Sequence, residues 1–168
     1  MTRPPFIKHY REIQGADDAR YPGSDELLSI GSPFGKAFGL TRLGIHHEEL
    51  PPGRRTSWPH AESHEEEFVY VIEGTPDAWI DGTLHRLAPG DAVGFPAGTG
   101  IAHAFLNNTD ETVRLLVVGE ATKKENRIHY PMHPGRNASI PYHWDEVPTR
   151  ERGPHDGLPD RLRERTRG

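Results

Sequence analysis

Between residues 57 and 118 the sequence breaks into short runs in which apolar and polar residues alternate, at 57–62, 67–73, 78–81, 84–87, 92–95, 102–106 and 112–118. Side chains switch faces at every step of a strand, so such a period buries one face of a sheet and wets the other, whereas a helix needs a longer stretch with a period of 3.6. The punctuation is turn chemistry: Glu73-Gly74, Asp81-Gly82, Pro89-Gly90-Asp91, Pro96-Ala97-Gly98 and Asn107-Asn108-Thr109-Asp110. Asp81-Gly82 is the best hairpin signal, because both central residues of a type I′ turn need φ > 0. Strands at this spacing predict an all-β sandwich or barrel. The 18 glycines and 16 prolines among 168 residues fit many turns better than many helices.

The flanks read differently. Residues 6–13 have the composition of a first strand, and 15–25 are rich in turn residues. From Ala37 to Leu50 the alternation slips by one residue near Arg42, which predicts a long strand carrying a bulge and ended by Pro51-Pro52-Gly53. Beyond Glu120 the chain turns rich in Pro, His and Tyr and then in charge, as expected of an arm laid over the barrel or a neighbouring subunit, with a short helix at 159–167. The division expected is a lead-in at 1–36, a barrel at 37–120 and an arm at 121–168, all in one domain.

Composition narrows the function. A net charge of −5 gives no electrostatic footprint for nucleic acid or an anionic membrane surface. With no cysteine, disulfide scaffolds, thiol catalysis and Cys-ligated metals are excluded. No 18-residue apolar run and no apolar leader in residues 1–10 make a cytoplasmic protein the expectation. What remains is 11 histidines, the neutral nitrogen donors of metal sites.

The informative segment runs from Pro51 to Gly74. In a strand His60 and Glu62, at i and i+2, share a face, and Glu67 at the start of the next strand can meet them across a hairpin. His103, on a later strand, is brought alongside if the barrel closes. Two imidazoles and two carboxylates suit a divalent ion such as Zn, Mn, Fe or Ni and leave positions open for substrate. His64 shares the parity and is an alternative to Glu62, although a solvated hairpin tip is the plainer reading of His64 to Glu66. One of His46 and His47 is expected to face inward, with His47 or Arg42 lining the pocket. His129, His133, His143 and His155 read as surface or arm contacts, because no i+2 or i+4 spacing groups them with carboxylates.

Two stretches resemble the cupin superfamily, whose motifs run G-x5-H-x-H-x3,4-E-x6-G and G-x5-P-x-G-x2-H-x3-N. Here they read Gly53-x6-His60-x-Glu62-x4-Glu67-x6-Gly74 and Gly90-x5-Pro96-x-Gly98-x4-His103-x3-Asn107. The extra residues fall in turns, and Glu62 stands where the family has its second His. The resemblance implies a double-stranded β-helix, or jelly-roll barrel, with an N-terminal lead-in strand and a C-terminal arm. It implies one divalent metal ion on His60, Glu62, Glu67 and His103, a small-molecule ligand or substrate in the pocket, and a homodimer. A metal-dependent enzyme of dioxygenase, isomerase or lyase type would act on a small organic acid, sugar or aromatic metabolite, with Glu62 or Glu67 as base when not ligating. The alternative is a non-catalytic ligand-binding cupin with structural or no metal.

Overall fold

The computed structural model describes residues 3–167, the side chains of 166 and 167 excepted. Among these residues the elements run β1 (Ile30–Pro33), α1 (Phe34–Ala37), β2 (Leu43–Leu50), β3 (Ala61–Glu62), β4 (Glu67–Glu73), β5 (Asp77–Ile80), β6 (Thr83–Arg86), β7 (Ala92–Phe95), β8 (His103–Leu106), β9 (Val113–Glu120), β10 (Ile128–His129), α2 (Pro134–Ser139) and α3 (Asp160–Arg167). A five-stranded sheet has the order β1-β2-β9-β4-β7, a three-stranded sheet the order β6-β5-β8, and β10 pairs with β3. Every one of these pairings is antiparallel. The two larger sheets face each other as a jelly-roll barrel, the expected architecture.

The strand period decides what is inside. On β4, Val69 and Val71 are buried while Phe68, Tyr70 and Ile72 face out, as a period of two demands. Leu50, Val113 and Leu115 from the large sheet meet Ala78 and Phe105 from the small one in a single core. The residues at the mouth of the barrel share this inward parity: Glu67 with Val69, and His46 and Glu48 with Leu50.

The outer face of the small sheet is covered by the arm. Trp79 is fully buried there, its Nε1–H donating to the His155 carbonyl at 2.9 Å, and Trp144 packs on the cluster it forms with Ala61 and Leu106. The β5–β6 turn is the docking point. Asp81 and Gly82 have φ of 45° and 86°, the left-handed pair the dipeptide foretold, and their carbonyls accept from the Gly153 and His155 amides at 2.7 and 3.0 Å. The lead-in is tied down at Arg55, whose buried guanidinium grips Glu26 through two hydrogen bonds of 2.6 and 2.7 Å and donates to the Gly157 carbonyl at 2.8 Å. Lead-in, barrel and arm also meet in one stack, Tyr21 on Trp58 and Trp58 on His133, at 4.1 and 3.8 Å between ring centroids.

Two expectations are corrected. Residues 6–13 hold a 3-10 turn at Tyr10–Glu12 and no strand. The edge of β2 is already paired by β1, so this segment packs through side chains, with Tyr10 stacked on His47 at 4.0 Å and Gln14 donating to Glu49 at 2.7 Å. The long strand from Ala37 is shorter: α1 and the turn at Gly39 precede it, and the phase slip near Arg42 marks where β2 begins. The register shift lies instead in β4 against β9, between Val71 and Glu73.

Candidate metal centre

His60 and His103 form an isolated antiparallel bridge, with His60 N–H on the His103 carbonyl at 3.2 Å and His103 N–H on the His60 carbonyl at 2.9 Å. Directly opposed residues put their side chains on the same face, and the two imidazole centroids lie 5.1 Å apart. Glu67, at the first position of β4, enters from the facing sheet. One ligand atom from each of His60, Glu67 and His103 lies within 4.8 Å of the others. His103 Nε2 is 3.2 Å from Glu67 Oε1, with the His103 side chain 4% exposed and that of Glu67 24%.

The protonation pattern suits a metal. His60 Nδ1 lies 2.9 Å from the Trp58 carbonyl and His103 Nδ1 3.3 Å from the Ile101 carbonyl. A carbonyl only accepts, so each Nδ1 keeps its proton, the arrangement that orients metal-bound histidines; the His103 Nε2–H shared with Glu67 at 3.2 Å is the proton that an ion entering between them would displace. His103 is further fixed by stacking on Phe95, centroids 3.5 Å apart. Burial, helped by the neighbouring His103, lowers the His60 pKa and keeps it neutral. Burial pushes the Glu67 carboxyl up, but hydrogen bonding to His103 and the nearby imidazoles outweigh it and hold the carboxyl below its usual value. Two neutral nitrogens and one carboxylate on rigid strands therefore fit a divalent ion of borderline character.

Glu62 stands outside the three-donor group. It lies on the wall of an adjoining cavity of about 250 Å³ that also takes in His46, Glu48, Glu65, Glu66 and Glu67, with no Lys or Arg among the lining residues. Burial first, then the charges of Glu65 and Glu67, push the Glu62 carboxyl up to about 7, against the nearby His103 and a hydrogen bond from Asn126. Burial also raises Glu48. His64 is exposed at the hairpin tip, its Nδ1 2.7 Å from Ser63 Oγ.

The reading of the His46–His47 pair changes in detail: His46 lines the cavity, whereas His47 lies under Tyr10 on the outer face. Arg42 borders a separate groove with Leu40 and Leu43. Sequence reasoning missed Glu48 and Asn126. Counting back by two from buried Leu50 places both Glu48 and His46 inward, a signal that was present. Asn126, whose Oδ1 also accepts from the His64 amide at 3.0 Å, sits far along the chain and gave no local sign.

The cupin domain profile matches residues 46–119. A sugar phosphate isomerase of the cupin superfamily from Silicibacter pomeroyi is 35% identical over 61% of this chain, with a TM-score of 0.58; the match spans 64% of that protein, just under two thirds of its length. A protein from Acidithiobacillus ferrooxidans, provisionally named a sugar phosphate isomerase, is 30% identical over 76% of this chain and 81% of its own, with a TM-score of 0.65. A polyketide cyclase from Streptomyces resistomycificus shares the fold at 22% identity, covering 85% of this chain and 96% of its own, with a TM-score of 0.61. No curated protein sequence matches. With its barrel, both motifs and these relatives in agreement, the chain belongs to the cupin superfamily.

Proposed function

We propose that this cupin holds one divalent metal ion on His60, Glu67 and His103 and catalyses proton transfer next to a carbonyl group of a small hydroxy-carbonyl metabolite, an isomerase-type reaction with Glu62 as acid and base. The observation that carries the reading is the convergence of three metal-type donors beside a carboxyl that titrates near neutrality in the same cavity. An ion bound there supplies a Lewis acid for the substrate oxygen. Glu62 as carboxylate takes a proton from the hydroxyl-bearing carbon next to the carbonyl and returns it to the former carbonyl carbon, while the hydroxyl proton passes to the former carbonyl oxygen, so the carbonyl and hydroxyl exchange places with no net gain or loss of protons. A carboxyl near neutrality is suited to both steps. The names of the two relatives at 30% identity or more support an isomerase over the dioxygenase and lyase readings. The wall, rich in carboxylates and without Lys or Arg, favours a substrate whose reacting end carries no negative charge.

Exchange in D2O tests this. Protein loaded with manganese or zinc should move solvent deuterium into the carbon next to the carbonyl of ribulose or dihydroxyacetone, as read by NMR. The exchange should vanish on metal removal and in His103→Ala. Bound metal with no exchange in either sugar overturns the catalytic reading in favour of ligand binding, and absence of metal binding overturns both.

We also propose that the protein is a homodimer in the cytoplasm. The row of Phe68, Tyr70 and Ile72 on the outer face of β4 supports a second copy seated there, each of the three being about 40% exposed.

A further inference from the structure

The geometry points to a second metal site, in the arm, formed by His129 and His143 with Asp145 behind them. It shares no residue with the centre on His60, Glu67 and His103 and does not depend on it. His129 ends β10, where it pairs with Ala61 of β3, and His143 is carried beside it by a parallel bridge between its own backbone and Ile128. That bridge is closed by Ile128 N–H on the Tyr142 carbonyl at 2.9 Å and Trp144 N–H on the Ile128 carbonyl at 3.0 Å. The two imidazoles are thus placed by backbone hydrogen bonds in which neither side chain takes part.

His129 Nδ1 lies 3.2 Å from His143 Nε2, the rings 5.5 Å apart and tilted by 30°. Asp145 Oδ1 is 2.8 Å from His143 Nδ1. The carboxylate accepts, so His143 keeps a proton on Nδ1, and in the neutral ring its Nε2 is then the lone pair facing His129. When the His129 proton is on Nδ1 the contact is a hydrogen bond. Shifting that proton to Nε2 turns it into two lone pairs facing one point. Nitrogens bound at about 2.0–2.1 Å, at angles between octahedral and tetrahedral, lie about 2.9–3.4 Å apart. The observed separation falls inside that span. Asp145 then occupies the outer position that orients metal-bound histidines. His129 also borders a cavity of about 200 Å³, together with Pro131, Thr149, Arg150 and Arg152.

Two imidazole donors, with the Asp145 carboxylate on the outer nitrogen of His143 and none on the inner side, select nickel, copper and zinc over manganese. The centre on His60, Glu67 and His103 contains a carboxylate and accepts manganese as well, which separates the two. Calorimetric titration of the full-length chain, free of a polyhistidine tag, should give one equivalent of Mn²⁺ and two of Ni²⁺. His143→Gln and His129→Gln should each lose one Ni²⁺ and keep the Mn²⁺, with circular dichroism unchanged. Asp145→Asn should weaken that Ni²⁺ about 10- to 100-fold. Ni²⁺ stoichiometry and affinity equal to wild type in both His→Gln variants overturn the site. Failure of the other centre has a different signature: no Mn²⁺ bound, and one Ni²⁺ that still requires His143. Should a variant misfold, selective broadening by Ni²⁺ of the His129 and His143 ring signals in wild-type NMR spectra decides the question, and their persistence overturns the proposal.

Discussion

Glu62 differs from its neighbours His60 and Glu67 in what surrounds it: they face an imidazole, and it faces carboxylates. Burial and the charges of Glu65 and Glu67 outweigh His103 and the Asn126 hydrogen bond and lift its pKa to about 7, so it holds its proton in acid and releases it as the pH rises through neutrality. Acting as the base, it should make the exchange rate rise with pH through that region. Glu62→Gln should cut the rate by about 10²–10⁴-fold and remove that limb while metal content stays at wild type. Loss of metal in Glu62→Gln would instead make Glu62 a ligand. A stability effect of opposite sense accompanies the rate. A carboxyl whose folded pKa lies above its unfolded value contributes stability that is present below about 4.5 and lost as the pH rises through about 7, so the Gln variant should gain thermal stability over wild type at pH 8. The residues at this scale differ in legibility for a physical reason. His60, Glu67 and His103 were legible because strand parity and turn spacing act locally. His129 and His143, 14 residues apart, and Asn126 beside Glu62 become neighbours only through pairing of the arm with β3, which no local spacing encodes.

The elements named from the sequence are those whose turns and alternation agree. The strands expected at 67–73 and 92–95 are found with those bounds, because each is a period-two run closed by glycine or proline chemistry. Residues 6–13 have strand-like composition, but the edge of β2 that they lie against is already paired by β1, so tertiary context overrides propensity. The β5–β6 hairpin unites both levels, since the turn that the dipeptide dictates is also the arm's anchor. A Cβ on Gly82 would lie 2.3 Å from the Gly153 carbonyl oxygen, and the backbone there is left-handed at φ +86°. Gly82→Ala should therefore cost the about 1–2 kcal/mol of a left-handed residue and, in addition, push the arm from the small sheet. A lowered urea midpoint with faster amide exchange at Gly153 and His155 is the expected result. An unchanged midpoint would show that the arm adds little to stability.

At the scale of the whole molecule, stability rests on an arm and a lead-in wrapped over a modest core, and this wrapping buries histidines. Burial is the first cause of the lowered pKa of His47, His129, His133 and His155, and His133, stacked on Trp58 and near the Arg55 guanidinium, falls to about 4. Below about 6.5 the unfolded chain takes up protons that the folded one refuses, so this contribution is present above that pH and is lost as the pH falls toward 4. Glu48 and Glu62 act in the opposite sense over part of the range, which makes a single variant the cleaner test than the wild-type curve. His133→Phe keeps the ring stack and has no proton to accept, so its melting temperature should fall less steeply than wild type between pH 6.5 and 4; parallel curves would sink this account. The same wrapping leaves one face bare. The lead-in covers the β1–β2 end of the large sheet and the arm covers the small sheet, while Phe68, Tyr70 and Ile72 on β4 stay in water. Contiguous apolar side chains on a rigid sheet gain about 25 cal/mol per Å² on being covered, and a two-fold contact presents the same row to itself. Light scattering at micromolar concentration should give a dimer mass, and Tyr70→Glu, which sets like charges against each other across that axis, should give a folded monomer. A wild-type monomer, or a dimer indifferent to Tyr70→Glu, would move the interface elsewhere.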